Sequence, residues 1–263
     1  NGKAKAEAVT DSRATEGSAA NTSAAKKQSG LNIARCIAAI CSNATKAQNE
    51  TAARRFVADI ESPTSSNAHN AHNAHLALLC IGEMGRHTDM AALTSDVAIE
   101  TCVMAQFAAP AADTQVAAAF ALGSLAVGNM GKYLPALLQA LQSEAVANKY
   151  LPLAALRELI QAYTCADSAS SAAGSATHGS TAGNSDLATS LPQIMPALLP
   201  AATSTEAQIR NVAAECLGLL TNVHPELMLP QLDGLFAEGS SHWHARWTLA
   251  TALKFAFARA VPV

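Results

Sequence analysis

Ile209-Arg210-Asn211-Val212-Ala213-Ala214-Glu215-Cys216-Leu217-Gly218-Leu219-Leu220 decides the fold. Its apolar or small residues at 209, 212, 213, 216, 217 and 220 follow the steps i, i+3, i+4, i+7, i+8 and i+11. At about 3.6 residues per turn these positions share one helix face. Thr203, with Glu206 three residues later, carries a capping-box pattern whose side chains bond otherwise unpaired amides. The spacing predicts a helix opening at this point with one packed face.

The same pattern ends at Gly123 and at Gly82. Ala213, Ala118 and Ala77 each stand five positions before the glycine, and Leu217, Leu122 and Ile81 stand directly before it. Small residues at fixed points let helices approach closely while neighbouring aliphatics fill the space between layers. A second register follows each glycine: Gly123 to Pro135 and Gly218 to Pro230 are both 12 residues, so each unit holds a first and a second helix. Proline in the first turn of the second helix costs little, because its missing amide has no helical partner there. Weaker copies put Arg157 and Lys254 at the glycine position, giving intervals of 41, 34, 61 and 36 residues. Most fit HEAT-type periods of about 40 residues.

The long interval locates an insertion. Met195-Pro196-Ala197-Leu198-Leu199 repeats Leu134-Pro135-Ala136-Leu137-Leu138, yet Arg157 to Pro196 spans 39 residues instead of 12. The excess falls on a Ser/Ala/Gly-rich stretch, 165–186, whose lack of large apolar residues predicts disorder. A further helix pair is expected at 31–42 and 46–60, and a last helix near 242–259. The chain therefore divides into a disordered linker 1–27, about five and a half units over 28–259, and a truncated end 260–263. The final helix, with Trp247, Leu249, Leu253 and Phe255 and no polar capping repeat, predicts continuation past Val263. The fold class is all-α, a HEAT/armadillo-type right-handed α-solenoid.

Composition agrees. Half of the 263 residues are hydrophobic, aromatics make up only 4%, and the alanine content favours helix over strand. With a net charge of -3 and scattered lysines and arginines, nucleic acid is not an expected partner. The polar N-terminus and the absence of a long apolar run predict an intracellular, soluble protein without a membrane partner. Six cysteines without a C-x-x-C pair read as reduced, with Cys36, Cys80 and Cys216 inside apolar helices. Sequons at Asn21, Asn43 and Asn49 carry no glycosylation reading without a secretory signal.

Particular residues also carry a family resemblance. Leu79-Cys80-Ile81-Gly82-Glu83-Met84-Gly85, Ala121-Leu122-Gly123-Ser124 with Val127-Gly128-Asn129, and Arg210-Asn211-Val212-Ala213-Ala214-Glu215-Cys216-Leu217-Gly218 resemble the cullin-associated, neddylation-dissociated protein family. Tyr133-Leu134-Pro135, Pro225-Glu226 with Leu229-Pro230, Gly239-Ser240-Ser241 and Thr251-Ala252-Leu253-Lys254-Phe255 follow in the order of its C-terminal half. The resemblance runs from about Leu31 to Phe255; Pro152, the 165–186 insert, Trp243 and Trp247 depart from it. It implies a scaffold, not an enzyme, that binds the unmodified cullin-RING core (cullin plus RING subunit) and promotes exchange of substrate-receptor modules. It further implies cytoplasmic and nuclear localisation. The rival reading is a HEAT-repeat transport or phosphatase-type scaffold with another protein partner.

No residue pattern points to catalysis, a cofactor, a metal or a small-molecule substrate. His69, His72 and His75 stand at i, i+3 and i+6, but in a literal Asn-Ala-His run with no carboxylate or thiolate beside them. His242 and His244 read as solvent-facing. Glu215 and Cys216, as adjacent helix residues, point apart, which argues against a base and nucleophile pair. G-x-S-x-G and phosphate-binding glycine motifs are absent. In HEAT solenoids second helices line the partner-facing concave side, which nominates Lys132, Tyr133, Gln231 and Glu238 as contact residues. Trp243 joins them because aromatics dominate interface energetics.

Overall fold

A computed structural model describes residues 28–62, 68–94, 98–143, 148–173, 180–238 and 243–260. The expected linker 1–27 and the tail 261–263 lie outside the described residues. Every regular element among the described residues is helical. In chain order these are α1 (28–42), α2 (Lys46–Glu61), α3 (Ala68–His87), α4 (Met90–Leu93), α5 (Ile99–Ala105) followed by a 3-10 turn (Gln106–Ala108), α6 (Ala112–Gly128), α7 (Met130–Gln142), α8 (Tyr150–Ala173), α9 (Ser180–Ala202), α10 (Ala207–Val223), α11 (Pro225–Glu238) and α12 (Trp243–Ala260).

The first helices stack in sequence: α3 on α6, α6 on α8, α8 on α10, and α10 on α12. Each of α6, α8 and α10 also packs on its own second helix, α7, α9 or α11, and α7 touches α9 in the second layer. One continuous apolar core runs through this stack from Ala34 to Ala252. The chain is an all-α HEAT-repeat solenoid.

Close approach sets the repeat register. A Cβ on Gly123 would lie 2.4 Å from the carbonyl oxygen of Ala155, and one on Gly218 would lie 2.5 Å from that of Ala252. Gly82 meets Phe120 and the Cα of Ala121 in the same way, at 2.8 and 3.1 Å. Each glycine thus seats against the alanine two positions before the equivalent residue of the next first helix. Hydrogen in place of a side chain is what lets consecutive helices come this near.

Several local features differ from expectation. The Thr203/Glu206 capping box does not form: α10 starts at Ala207 with Glu206 as N-cap and no side-chain cap. Thr203 instead closes the end of α9, its Oγ donating to the carbonyl of Pro200 at 3.1 Å. A true capping box sits at Thr45 and Gln48, before α2. Pro135 and Pro230 lie at the sixth residue of α7 and α11, past the first turn, so each costs a helical hydrogen bond. The second element of the unit that opens with α3 is broken into α4, α5 and the 3-10 turn. Over the 165–186 stretch, the backbone of 165–173 continues α8 and that of 180–186 opens α9, as its alanines permit; 174–179 lie outside the described residues. Pro152, third in α8, is buried and lacks only an amide that would be unpaired there.

Candidate interaction surface

The second helices bury a narrow stripe and expose the rest. In α7 the core stripe is Tyr133, Leu134, Leu137, Leu138 and Leu141. Tyr133 is only 1% exposed, so its nomination as a contact residue is corrected: the ring belongs to the core. Its position one residue after exposed Lys132 concealed this, since neighbouring helix residues point about 100° apart. Burial, reinforced by the carboxylates of Glu100 and Asp89, pushes the phenol well above its ordinary range. Lys132 is exposed, with its Nζ 3.6 Å from Glu100. Gln231 is exposed on α11, and the Glu238 side chain lies outside the described residues. Of the five nominated residues, Lys132, Gln231 and Trp243 are thus exposed and Tyr133 is buried.

The exposed face of this layer carries a feature that residue-type reasoning missed. Pro192, Pro196 and Pro200 follow one another at i, i+4 and i+8 along α9, and all three are exposed, as are Pro135 on α7 and Pro230 on α11. A proline leaves the carbonyl four residues earlier without its helical donor. The carbonyls so freed are those of Gly131, Ala188, Pro192, Pro196 and Glu226. Between α7 and α9 lies a groove of about 570 Å³ lined by residues including Asn129, Gly131, Pro135, Thr189, Ser190 and Gln193, none of them charged.

At the α9–α10 corner a second cluster forms. Arg210 is 5% exposed and its Nη1 donates to the carbonyls of Ser204 and Thr205, both at 2.7 Å. Its guanidinium carbon lies 5.3 Å from the ring centre of Trp243 and 5.4 Å from that of Trp247. Trp243, 64% exposed, also meets the ring of His244 at 4.0 Å. His244 is thus half-buried against an indole, not simply solvent-facing. The paired tryptophans one helical turn apart were legible; their cationic counterpart in the preceding unit was not.

Charges sit along the first helices. Arg86 pairs with Glu158 across α6, Arg35 with Glu83 at 3.4 Å, and Arg157 with Glu215 at 3.3 Å. Glu215, considered beside Cys216, therefore faces an arginine. Cys216 is fully buried, and burial pushes its thiol far above the ordinary range; the same cause pushes Cys80 up to about 12. Thiols held protonated in this way are poor nucleophiles. Cys36, though inside an apolar helical stretch that suggests a buried small residue, lies on the exposed side of α1, while Cys41 takes the packed position. Asn49 is buried, its side-chain amide donating to Cys41 O at 2.9 Å. His75 meets the backbone oxygen of Asp113 at 3.1 Å, His72 is exposed, and the side chains of His69 and His242 lie outside the described residues. Among the described residues no group of three or more His, Cys, Asp or Glu side chains is placed to hold a metal. None of their helices is long and apolar enough to cross a membrane.

No family model matches the chain. Cullin-associated NEDD8-dissociated protein 1 of Arabidopsis thaliana is 30% identical over 231 residues, 87% of this chain and 17% of the relative. Its namesake in Drosophila melanogaster is 29% identical over 244 residues, 93% of this chain and 17% of the relative. Cullin-associated NEDD8-dissociated protein 2 of Mus musculus is 31% identical over 229 residues, 87% of this chain and 16% of the relative. The chain thus spans about a sixth of the length of these relatives. With one glycine-to-alanine register joining its first helices, and plant, insect and mammalian relatives aligned along nearly nine-tenths of it, the chain belongs to the cullin-associated NEDD8-dissociated family of HEAT-repeat proteins.

Proposed function

We propose that the chain is a segment of a non-enzymatic scaffold that binds unmodified cullin-RING complexes and promotes exchange of their substrate-receptor modules. The observation that carries this reading is the alignment with relatives named as cullin-associated and NEDD8-dissociated along 87–93% of the chain. The architecture supports it, because a stack of helix pairs offers an extended surface of many modest contacts instead of one pocket. Scaffold and receptor module, if they share cullin surface, weaken each other by one coupling free energy in both directions. Exchange then needs no covalent step. A chain of this kind works where cullin-RING complexes are found, in cytoplasm and nucleus.

Size-exclusion chromatography of the chain with a cullin-RING complex tests this. Co-elution with the unmodified complex, lost when NEDD8 is attached or a receptor module is in excess, is the expected result. Indifference to both treatments sinks the exchange reading, and absence of co-elution sinks cullin binding by this segment.

A further inference from the structure

The repeat prolines of the second helices occupy one register. Pro135, Pro196 and Pro230 fall at equivalent positions of α7, α9 and α11, and each is exposed. Each frees the carbonyl four residues earlier, at Gly131, Pro192 and Glu226, and these residues too are exposed. One acceptor without a helical donor therefore recurs in each of these three units. Within the row α7 packs on α9, and packed helices lie about 8–10 Å apart, which sets the scale of the spacing between those two acceptors. Pro192 and Pro200 free two more acceptors, Ala188 and Pro196, on the same exposed stripe of α9.

The lining between the first two members of this row is uncharged. Lys132, the nearest cation on α7, is turned toward Glu100 at 3.6 Å. Helix carbonyls carry partial negative charge and attract cationic donors. The fold already shows which side chain meets this demand: Arg210 holds two carbonyls beyond the end of α9 with a single nitrogen, at 2.7 Å each. A planar guanidinium suits such paired acceptors better than a compact ammonium.

We infer that the second-helix face is an acceptor track, and that it docks an elongated, arginine-bearing segment of its protein partner across α7, α9 and α11, with the α7–α9 groove at its centre. The inference rests on the cullin-RING reading for the identity of that partner, but not for the chemistry of the track.

The test restores the missing donors. P135A, P196A and P230A are combined in the full chain, and P196A is made alone. Melting temperature is read beside affinity for two probes: the unmodified cullin-RING complex, and a synthetic alanine-based helix with arginine at every seventh residue, a rise of about 10 Å. Returning an amide to each helix raises the melting temperature while binding to both probes weakens about tenfold or more. A triple variant that melts higher yet binds both as tightly as wild type overturns the track. If wild type ignores the cullin-RING complex but binds the arginine helix in a proline-dependent way, the partner reading falls and the track stands. Binding of neither probe ends both. Should the triple variant melt lower, P196A alone is read by the same criteria.

Discussion

The guanidinium of Arg210 lies over the indole of Trp247, 5.4 Å from the ring centre, and so joins α10 to α12 at the solvent edge of the solenoid. Among the described residues no carboxylate pairs with Arg210; its charge is met by the carbonyls of Ser204 and Thr205 and by two indole faces. Arg210→Ala removes the cation and strands both carbonyls, so a cost of about 3 kcal/mol is expected in urea unfolding. Arg210→Lys recovers less than half, since an ammonium cannot stack flat between the rings. Trp243→Ala costs about 1 kcal/mol or less, because that ring is 64% exposed. Equal losses for Arg210→Ala and Trp243→Ala contradict this division of roles.

Three glycines of closely similar helical setting should respond in opposite directions to alanine. At Gly123 and Gly218 a methyl group meets backbone oxygen at 2.4 and 2.5 Å, and backbone cannot yield as a flexible side chain does. Each substitution is expected to cost about 1–3 kcal/mol by forcing neighbouring helices apart. At Gly234 nothing lies within 4 Å, and alanine there stabilises by about 0.5–1 kcal/mol through helix propensity alone. Thermal melts of the three variants decide it: a uniform sign for all three contradicts the register.

These contrasts mark what was legible in the sequence. The recurrence of glycine and alanine at fixed steps is a periodic signal, because the same packing problem recurs at every layer, and it foretold the stacked first helices; that each glycine seats on Ala121, Ala155 or Ala252 of the next helix came from the structure. The Thr203/Glu206 pattern misled because Thr203 belongs to the end of the preceding helix, a competition between local motifs that spacing cannot arbitrate. Tyr133 misled because whether a tyrosine at a helix edge is core or surface depends on a one-residue rotation, and the buried aliphatic stripe of α7 claims it. The role of Arg210 was hidden because its partners come from the next unit and from a loop, at separations no periodicity encodes.

Alkaline pH should expose the buried thiols. In the folded chain burial raises the Cys80 thiol from its ordinary 9.0 to about 12. Between these values the folded chain keeps a proton that the unfolded chain has lost, so unfolding releases it and stability falls as pH rises. Below about pH 9 the contribution is fully present. Cys216, pushed higher still by burial, acts in the same direction. Urea unfolding at stepped pH is expected to show a decline beginning near pH 9 that is shallower in Cys80→Ala and Cys216→Ala. In the native chain at pH 8, a thiol reagent modifies exposed Cys36 promptly and leaves Cys80 and Cys216 intact. A flat stability profile in the wild type contradicts the burial argument.

Arg86 of α3 reaches past α6 to Glu158 of α8, also donating to Ser124 Oγ at 3.1 Å and lying 5.2 Å from the centre of Phe120. Its side chain is 23% exposed and that of Glu158 21%, so water screens this pair less than the surface pair of Arg54 and Glu50, at 43% and 38%. Held between helices that both pack on α6, the two side chains have also lost most of their freedom in folding, whatever the pair contributes. A double-mutant cycle with Arg86→Ala and Glu158→Ala is therefore expected to give a coupling of about 1–2 kcal/mol that survives 1 M salt, because a Debye length of about 3 Å screens exposed charges far more than covered ones. The cycle at Arg54 and Glu50 should give about 0.5 kcal/mol or less at low salt and nothing at high salt. Equal salt sensitivity in the two cycles means that the Arg86 pair is solvated like any surface pair. Packing at Gly82 and Gly123 would then hold α3, α6 and α8 in register without help from the pair.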